Sequence, residues 1–115
     1  MVVDDAAFMR LRASKVLQDN GHEVLQAENG ADAVWQYAKH HPDAVLLDIT
    51  MPEMDGLEAL KEIRKLDPTA RVAMVTAMGQ QAIVMEALRA GAKDFILKPF
   101  QPDRVLGALQ KLLAA

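Results

Sequence analysis

"AVLLD", Ala44 to Asp48, is four consecutive apolar residues closed by a carboxylate. A strand with one wet face alternates apolar and polar residues. A run this continuous belongs to a strand covered on both faces, as in a parallel sheet. "RVAMVT" (71–76) repeats the pattern and ends in a hydroxyl instead of an acid. Three more β-like runs, "MVV" (1–3), "EVLQA" (23–27) and "DFIL" (94–97), bring the set to five. Stretches of helical period lie between them. Met9, Ala13, Val16 and Leu17 share one face of the first, and Asn20-Gly21 closes it as a left-handed cap does. Ala31 to His40, Leu57 to Leu66 and Gln80 to Ala90 read as the next three, the last of them stopped by Gly91. A fifth runs from Gln101 to Ala114, with Pro102 in its first turn and Val105, Leu109 and Leu113 as an inward stripe. Strands alternating with helices make βαβ units. The fold class is therefore α/β, with a doubly wound parallel sheet between two helical layers.

Composition bounds the function. The 115 residues suit a single domain spanning 1–115, and 51% apolar content is enough to bury a core. With 13 basic and 16 acidic side chains the formal charge is −3, which argues against a direct nucleic-acid surface. There is no cysteine, so thiolate metal sites are excluded. No apolar run is long enough for a membrane span and no signal-peptide pattern opens the chain, so a cytoplasmic location without membrane partners is expected.

In open parallel sheets ligands bind beyond the carboxyl ends of the strands, so the residues that end each strand carry the function. Here they are Asp4-Asp5, Asp48, Thr76 and Lys98, the last in "LKPF" (97–100). Pro99 fits the end of a strand, since it has no N–H to give a ladder. Three carboxylates gathered at one rim repel one another, and a divalent cation removes the conflict. Mg²⁺ suits hard oxygen ligands and phosphate chemistry. With Lys98 and Thr76 as donors to phosphoryl oxygens, the set reads as a phosphoryl-transfer site built around a carboxylate nucleophile.

"VVDDAAFMR", "LLDITMPEMDG", "VTAMG" and "GAKDFILKPF", in this order and spacing, resemble the receiver domain of two-component response regulators, and within it the stand-alone chemotaxis type. The resemblance covers essentially the whole chain. It implies a flavodoxin-like (βα)5 sandwich with strand order 2-1-3-4-5. It implies that Asp48 accepts a phosphoryl group from a sensor histidine kinase. Asp5 would hold Mg²⁺ directly, Asp4 largely through water, and the Thr50 backbone carbonyl would be a further ligand beside Asp48. Lys98 would pair with a phosphoryl oxygen after a cis bond to Pro99. Thr76 would swing toward the phosphoryl group, and Phe95, the switch aromatic, would turn into the space it leaves. Pro52 and Gly56 would shape the loop after the acceptor. The output would be a changed surface on the fourth helix, fifth strand and fifth helix. It would bind a downstream effector, for the chemotaxis type a flagellar motor switch protein.

Met85 and Leu88 fit an inward stripe on the fourth helix. Ile83 and Val84 then either face a partner, with Phe95, or cover the sheet edge. The resemblance has three departures. Only three residues precede Asp4 in what should be a central strand, which predicts a stability cost. Phe95 lacks the hydroxyl of the more usual Tyr. Thr50 and Met78 stand where receivers often carry polar or acidic groups, and Met78 is expected to hinder water and prolong the phosphorylated state. Two other functions use similar parts. A Mg²⁺-dependent aspartate-nucleophile phosphatase commonly places a second Asp two residues past the first, where this chain has Thr50. A flavin carrier needs a Ser/Thr-rich phosphate loop, where this chain has "DDAAFMR". Asp48 to Gly56 superficially resembles a calcium loop, but Pro52 and the spacing of its acids defeat that pattern.

Overall fold

The continuously apolar runs become strands buried along their whole length. β3 (Val45–Asp48) and β4 (Val72–Thr76) have no exposed residue. The computed structural model describes residues 1–114. β1 (Val2–Val3), β2 (Gln26–Ala27) and β5 (Asp94–Leu97) complete the sheet. Between the strands lie α1 (Ala7–Asp19), α2 (Gly30–His40), α3 (Gly56–Leu66) and α4 (Gln81–Arg89), and α5 (Pro102–Ala114) follows β5. All strand pairs are parallel and the order is β2-β1-β3-β4-β5, as expected.

Side chains along each strand alternate between two cores. Val3, Val45, Leu47, Val72 and Met74 meet Tyr37, Leu60, Ile63 and Val84 of α2, α3 and α4. Val2, Leu46, Ala73, Val75 and Ile96 meet Ala13, Leu17, Val105 and Leu112 of α1 and α5. Fully burying side chains such as Leu47, Leu60 and Ile63 contributes roughly 1.5–3 kcal/mol each. The helix ends are set locally. Asn29 and Asp55 accept from the backbone N–H of Asp32 and Glu58 at 2.7 and 2.9 Å, capping α2 and α3. Gly21 and Gly91 take the positive φ angles, 86° and 112°, that turn the chain away after α1 and α4. β1 is as short as the sequence suggests, with two residues at the centre of the sheet.

Two helical phases differ from expectation. In α5 Leu113 is exposed and Leu112 is fully buried. A residue eight positions on lies about 80° around a helix of 3.6 residues per turn, whereas one seven positions on lies within about 20°. Val105, Ala108, Leu109 and Leu112 therefore share the inward face. In α4 the buried residues are Val84 and Ala87, with Leu88 beside them, and Met85 is turned to solvent. Val84 is thus a core residue of the α2–α3–α4 layer and not a partner-facing one, whereas Ile83 is exposed. Ala87, three residues after Val84, shares this inward face and is fully buried.

Candidate functional site

Parallel strands all point their carboxyl ends the same way, so the residues ending β1, β3, β4 and β5 meet at one rim. Asp48 pairs in register with Val75, which puts Thr76 one step beyond it. Asp4 and Asp48 are both 5% exposed, and Asp5 faces solvent. Each of the three can offer a carboxylate oxygen, and those oxygens lie within 4.8 Å of one another. Lys98 reaches in from the end of β5, its Nζ 2.9 Å from Asp4 Oδ2 and 3.3 Å from Asp48 Oδ1. The Lys98–Pro99 peptide is cis.

One ammonium against three carboxylates leaves the rim short of positive charge. Burial pushes the Asp48 carboxyl up to about 6, helped by repulsion from Asp4 and Asp5 and opposed by Lys98. Lys98 is also raised, which for a lysine favours the charged form. Burial alone would lower it, but its hydrogen bond to Asp4 and the charges of Asp48 and Asp4 hold it above the usual lysine range. Asp4 is fixed from two further sides: Ala6 N–H donates to its Oδ1 at 2.9 Å, and Arg10 donates to its backbone carbonyl at 2.8 Å. The rim thus presents close carboxylate oxygens with an unbalanced charge, a donor set that fits a small divalent cation such as Mg²⁺.

The loop after β3 is held close to the acid. A Cβ on Gly56 would sit 2.1 Å from the Asp48 carbonyl oxygen and 2.8 Å from Ile49 Cα, so only glycine lets α3 begin there. The Gly56 N–H also donates to the Ile49 carbonyl at 2.8 Å. Thr76 is buried, and its hydroxyl is taken up by Gln80 Oε1 at 2.9 Å. Gln80 also reaches Thr50, and like Arg10 it is a residue at this rim that the strand-end reading of the sequence passes over. A neutral amide in a loop carries no charge or spacing signal, and its partner lies 30 positions away.

The residues expected to report the switch, and Met78, expected to hinder water, lie farther out. Phe95 is 42% exposed on β5, Ile83 faces solvent on α4, and Met78 is 81% exposed in the loop after β4. Arg104 of α5 donates to both carboxylate oxygens of Asp94 at 3.2 Å and to the Phe95 carbonyl, tying α5 to β5.

The family model for the response regulator receiver domain matches residues 1–110. The chain belongs to the response regulator receiver family. The chemotaxis protein CheY of Bacillus subtilis (strain 168) is 60% identical to it over 114 residues, 98% of this chain and 95% of that protein. The receiver domain of NtrX from Brucella abortus shares the fold with a TM-score of 0.95 at 35% identity, over 99% of this chain and 97% of that one. CheY in a CheX–CheY–BeF3–Mg²⁺ complex from Borrelia burgdorferi matches with a TM-score of 0.91 at 38% identity, over 96% of this chain and 85% of that one. Receivers bind Mg²⁺ at an aspartate cluster, and in this receiver Asp4, Asp5 and Asp48 form such a group. Among the described residues no helix is long and apolar enough to cross a membrane.

Proposed function

We propose that this receiver is a phosphorylation-activated switch, with Asp48 as acceptor, in a chemotaxis pathway. The observation that carries this reading is the meeting of Asp48 with Asp4, Asp5 and Lys98 at one buried rim. The Asp48 carboxylate attacks the phosphorus of a phosphohistidine on a sensor histidine kinase; a P–O bond forms and the P–N bond breaks, with the imidazole as leaving group. Asp4, Asp5, Asp48 and the Thr50 backbone carbonyl are the groups that would hold Mg²⁺, which when bound offsets the charge of the carboxylates and of the entering phosphoryl oxygens. Lys98 pairs with one of those oxygens, a role supported by its 3.3 Å approach to Asp48. Thr76 turns its hydroxyl to another. The phosphoryl group shifts a two-state equilibrium by as much as these contacts differ between the states.

The output is a binding event. α4 and β5 expose Ile83, Met85, Phe95 and Leu97, an apolar surface suited to a downstream effector. Phe95 turns inward as Thr76 moves and changes that surface by packing alone. The extent of identity to the Bacillus CheY favours a flagellar motor switch protein as the effector over a transcription output. Thr50, two residues past the acceptor, cannot serve as a general acid, which disfavours turnover of phosphate esters.

Acetyl phosphate with Mg²⁺ tests the reading. The wild type should take up one phosphoryl group per chain, and Asp48→Asn should take up none. Label appearing on Asp48→Asn at the wild-type rate, or many ester molecules turned over per chain, would sink it.

A further inference from the structure

Gln80 makes three hydrogen bonds with one side-chain amide, and each goes to a part of the rim that has to respond to modification. Its Oε1 accepts from the Thr76 hydroxyl at 2.9 Å and from the Ala77 backbone N–H at 2.8 Å. Its Nε2 donates to Thr50 Oγ1 at 2.5 Å. The amide therefore bridges the loop after β3, which carries Thr50, and the loop after β4, which carries Thr76 and Ala77.

The two donors on Oε1 stand at the carboxyl end of β4, directly beyond the register partner of Asp48. Beside Lys98, which already reaches Asp48 at 3.3 Å, they are the neutral donors that stand one and two residues past that register partner. A phosphoryl oxygen is a stronger acceptor than a neutral amide, because hydrogen bonds to a charged partner are roughly twice as strong. In the unmodified protein the amide oxygen is the shorter of two acceptors for the buried Thr76 hydroxyl, at 2.9 Å against 3.2 Å for the Ala77 carbonyl.

We propose that Gln80 is a positioning residue, a latch that holds the unmodified state by occupying Thr76 and Ala77 and by anchoring them to Thr50. Its oxygen stands in for a phosphoryl oxygen until one arrives. The latch rests on the switch function proposed above and adds the element that sets the resting side of the equilibrium. Releasing it removes a cost from activation, so disrupting it strengthens binding of a phosphoryl mimic. A side chain that merely stabilised the loops would do the opposite.

The test is titration of beryllium fluoride into the Mg²⁺-saturated full chain, followed by calorimetry and fluorine NMR. Gln80→Met keeps length and bulk with neither donor nor acceptor, and Gln80→Ala removes the side chain. Both should bind beryllofluoride about 3- to 10-fold more tightly than the wild type, the equivalent of one or two net hydrogen bonds. Thr50→Val, which frees only the Nε2 end, should tighten binding by about 2-fold. In a Thr76→Ala background the gain from Gln80→Met should shrink. Variants that melt lower yet bind equally or more weakly overturn the latch and leave the switch standing, as does an undiminished gain in the Thr76→Ala background. A wild type that binds no beryllofluoride overturns the switch and the latch together.

Discussion

Asp48 and Asp67 are the same side chain in two regions of one small fold, and their carboxyls move in opposite directions. Asp48 ends β3 at the rim, where burial and two neighbouring acids raise it to about 6. Asp67 ends α3, ahead of β4, where hydrogen bonds from Thr69 and Tyr37 lower it to about 2. Asp67 accepts from Tyr37 Oη at 2.7 Å and from the Thr69 N–H and hydroxyl at 2.9 and 2.6 Å. One carboxylate is satisfied by its surroundings and supports the fold as an anion. The other is held by the fold as an anion only at a cost. That cost leaves Asp48 with a large gain still available from a cation, a proton or a covalent partner, which is what an acceptor needs.

The largest break of this contrast comes from the backbone that holds Asp48, the proposed acceptor. Gly56→Ala forces a methyl against the Asp48 carbonyl oxygen at 2.1 Å, a backbone atom that cannot swing away. We expect about 3 kcal/mol or more of lost stability in urea titration, with phosphoryl uptake falling as Asp48 shifts. An Ala variant as stable as the wild type would show that the loop yields freely.

Next in size is the sign of Asp48's own contribution. Asp48 binds its proton more tightly folded than unfolded, so in chelator wild-type stability should rise as pH falls from about 6 toward 3.8. Asp48→Asn should accordingly stabilise the metal-free protein at pH 8, by about 2 kcal/mol, since a raised pKa is worth about 1.4 kcal/mol per unit and the loss of a partner for Lys98 takes some back. Urea midpoints of the two proteins in chelator check this; a less stable Asn variant would mean that Lys98 outweighs burial. Mg²⁺ sharpens the same point from the other side. At ten times its dissociation constant a cation that binds only the folded state adds about 1.4 kcal/mol. The wild type should gain this in thermal melts, and Asp48→Asn should gain less.

Much of this arrangement is legible in the sequence because strand ends in a parallel sheet are fixed by where the apolar runs stop. Asp4, Asp48, Thr76 and Lys98 each follow such a run, and the topology needs no further information to bring them to one rim. The helical faces are less legible. "IVM" at 83–85 is apolar in every direction, so the pattern there does not choose the phase of α4, in which Val84 and Ala87 are buried. In α5 both Leu112 and Leu113 are apolar, and only the accumulated helical angle chooses between them. Gln80 and the Tyr37–Asp67 pair were illegible for a shared reason. Each is a contact between neutral or isolated groups 30 positions apart, with no charge cluster to announce it.

The smallest prediction tests the satisfied side of the contrast. Tyr37 is 2% exposed in the α2–α3–α4 core, and its hydroxyl emerges to reach Asp67. Burial and that bond both disfavour the tyrosinate and raise its pKa above the ordinary range. Tyr37→Phe keeps the ring in the core and removes one donor from Asp67, so the loss should be about 1 kcal/mol, the net worth of a single hydrogen bond. The pH profile distinguishes this from a packing defect. Asp67 has a depressed folded pKa, so its contribution is complete above 3.8 and is lost as pH falls through about 2. Removing the Tyr37 donor should raise that folded pKa toward 3.8 and flatten the acid limb of the urea midpoint against pH, while the limb near pH 6 governed by Asp48 stays unchanged. A uniform offset at every pH would mean that Tyr37 acts only through the core, and that the two aspartates differ less than their surroundings suggest.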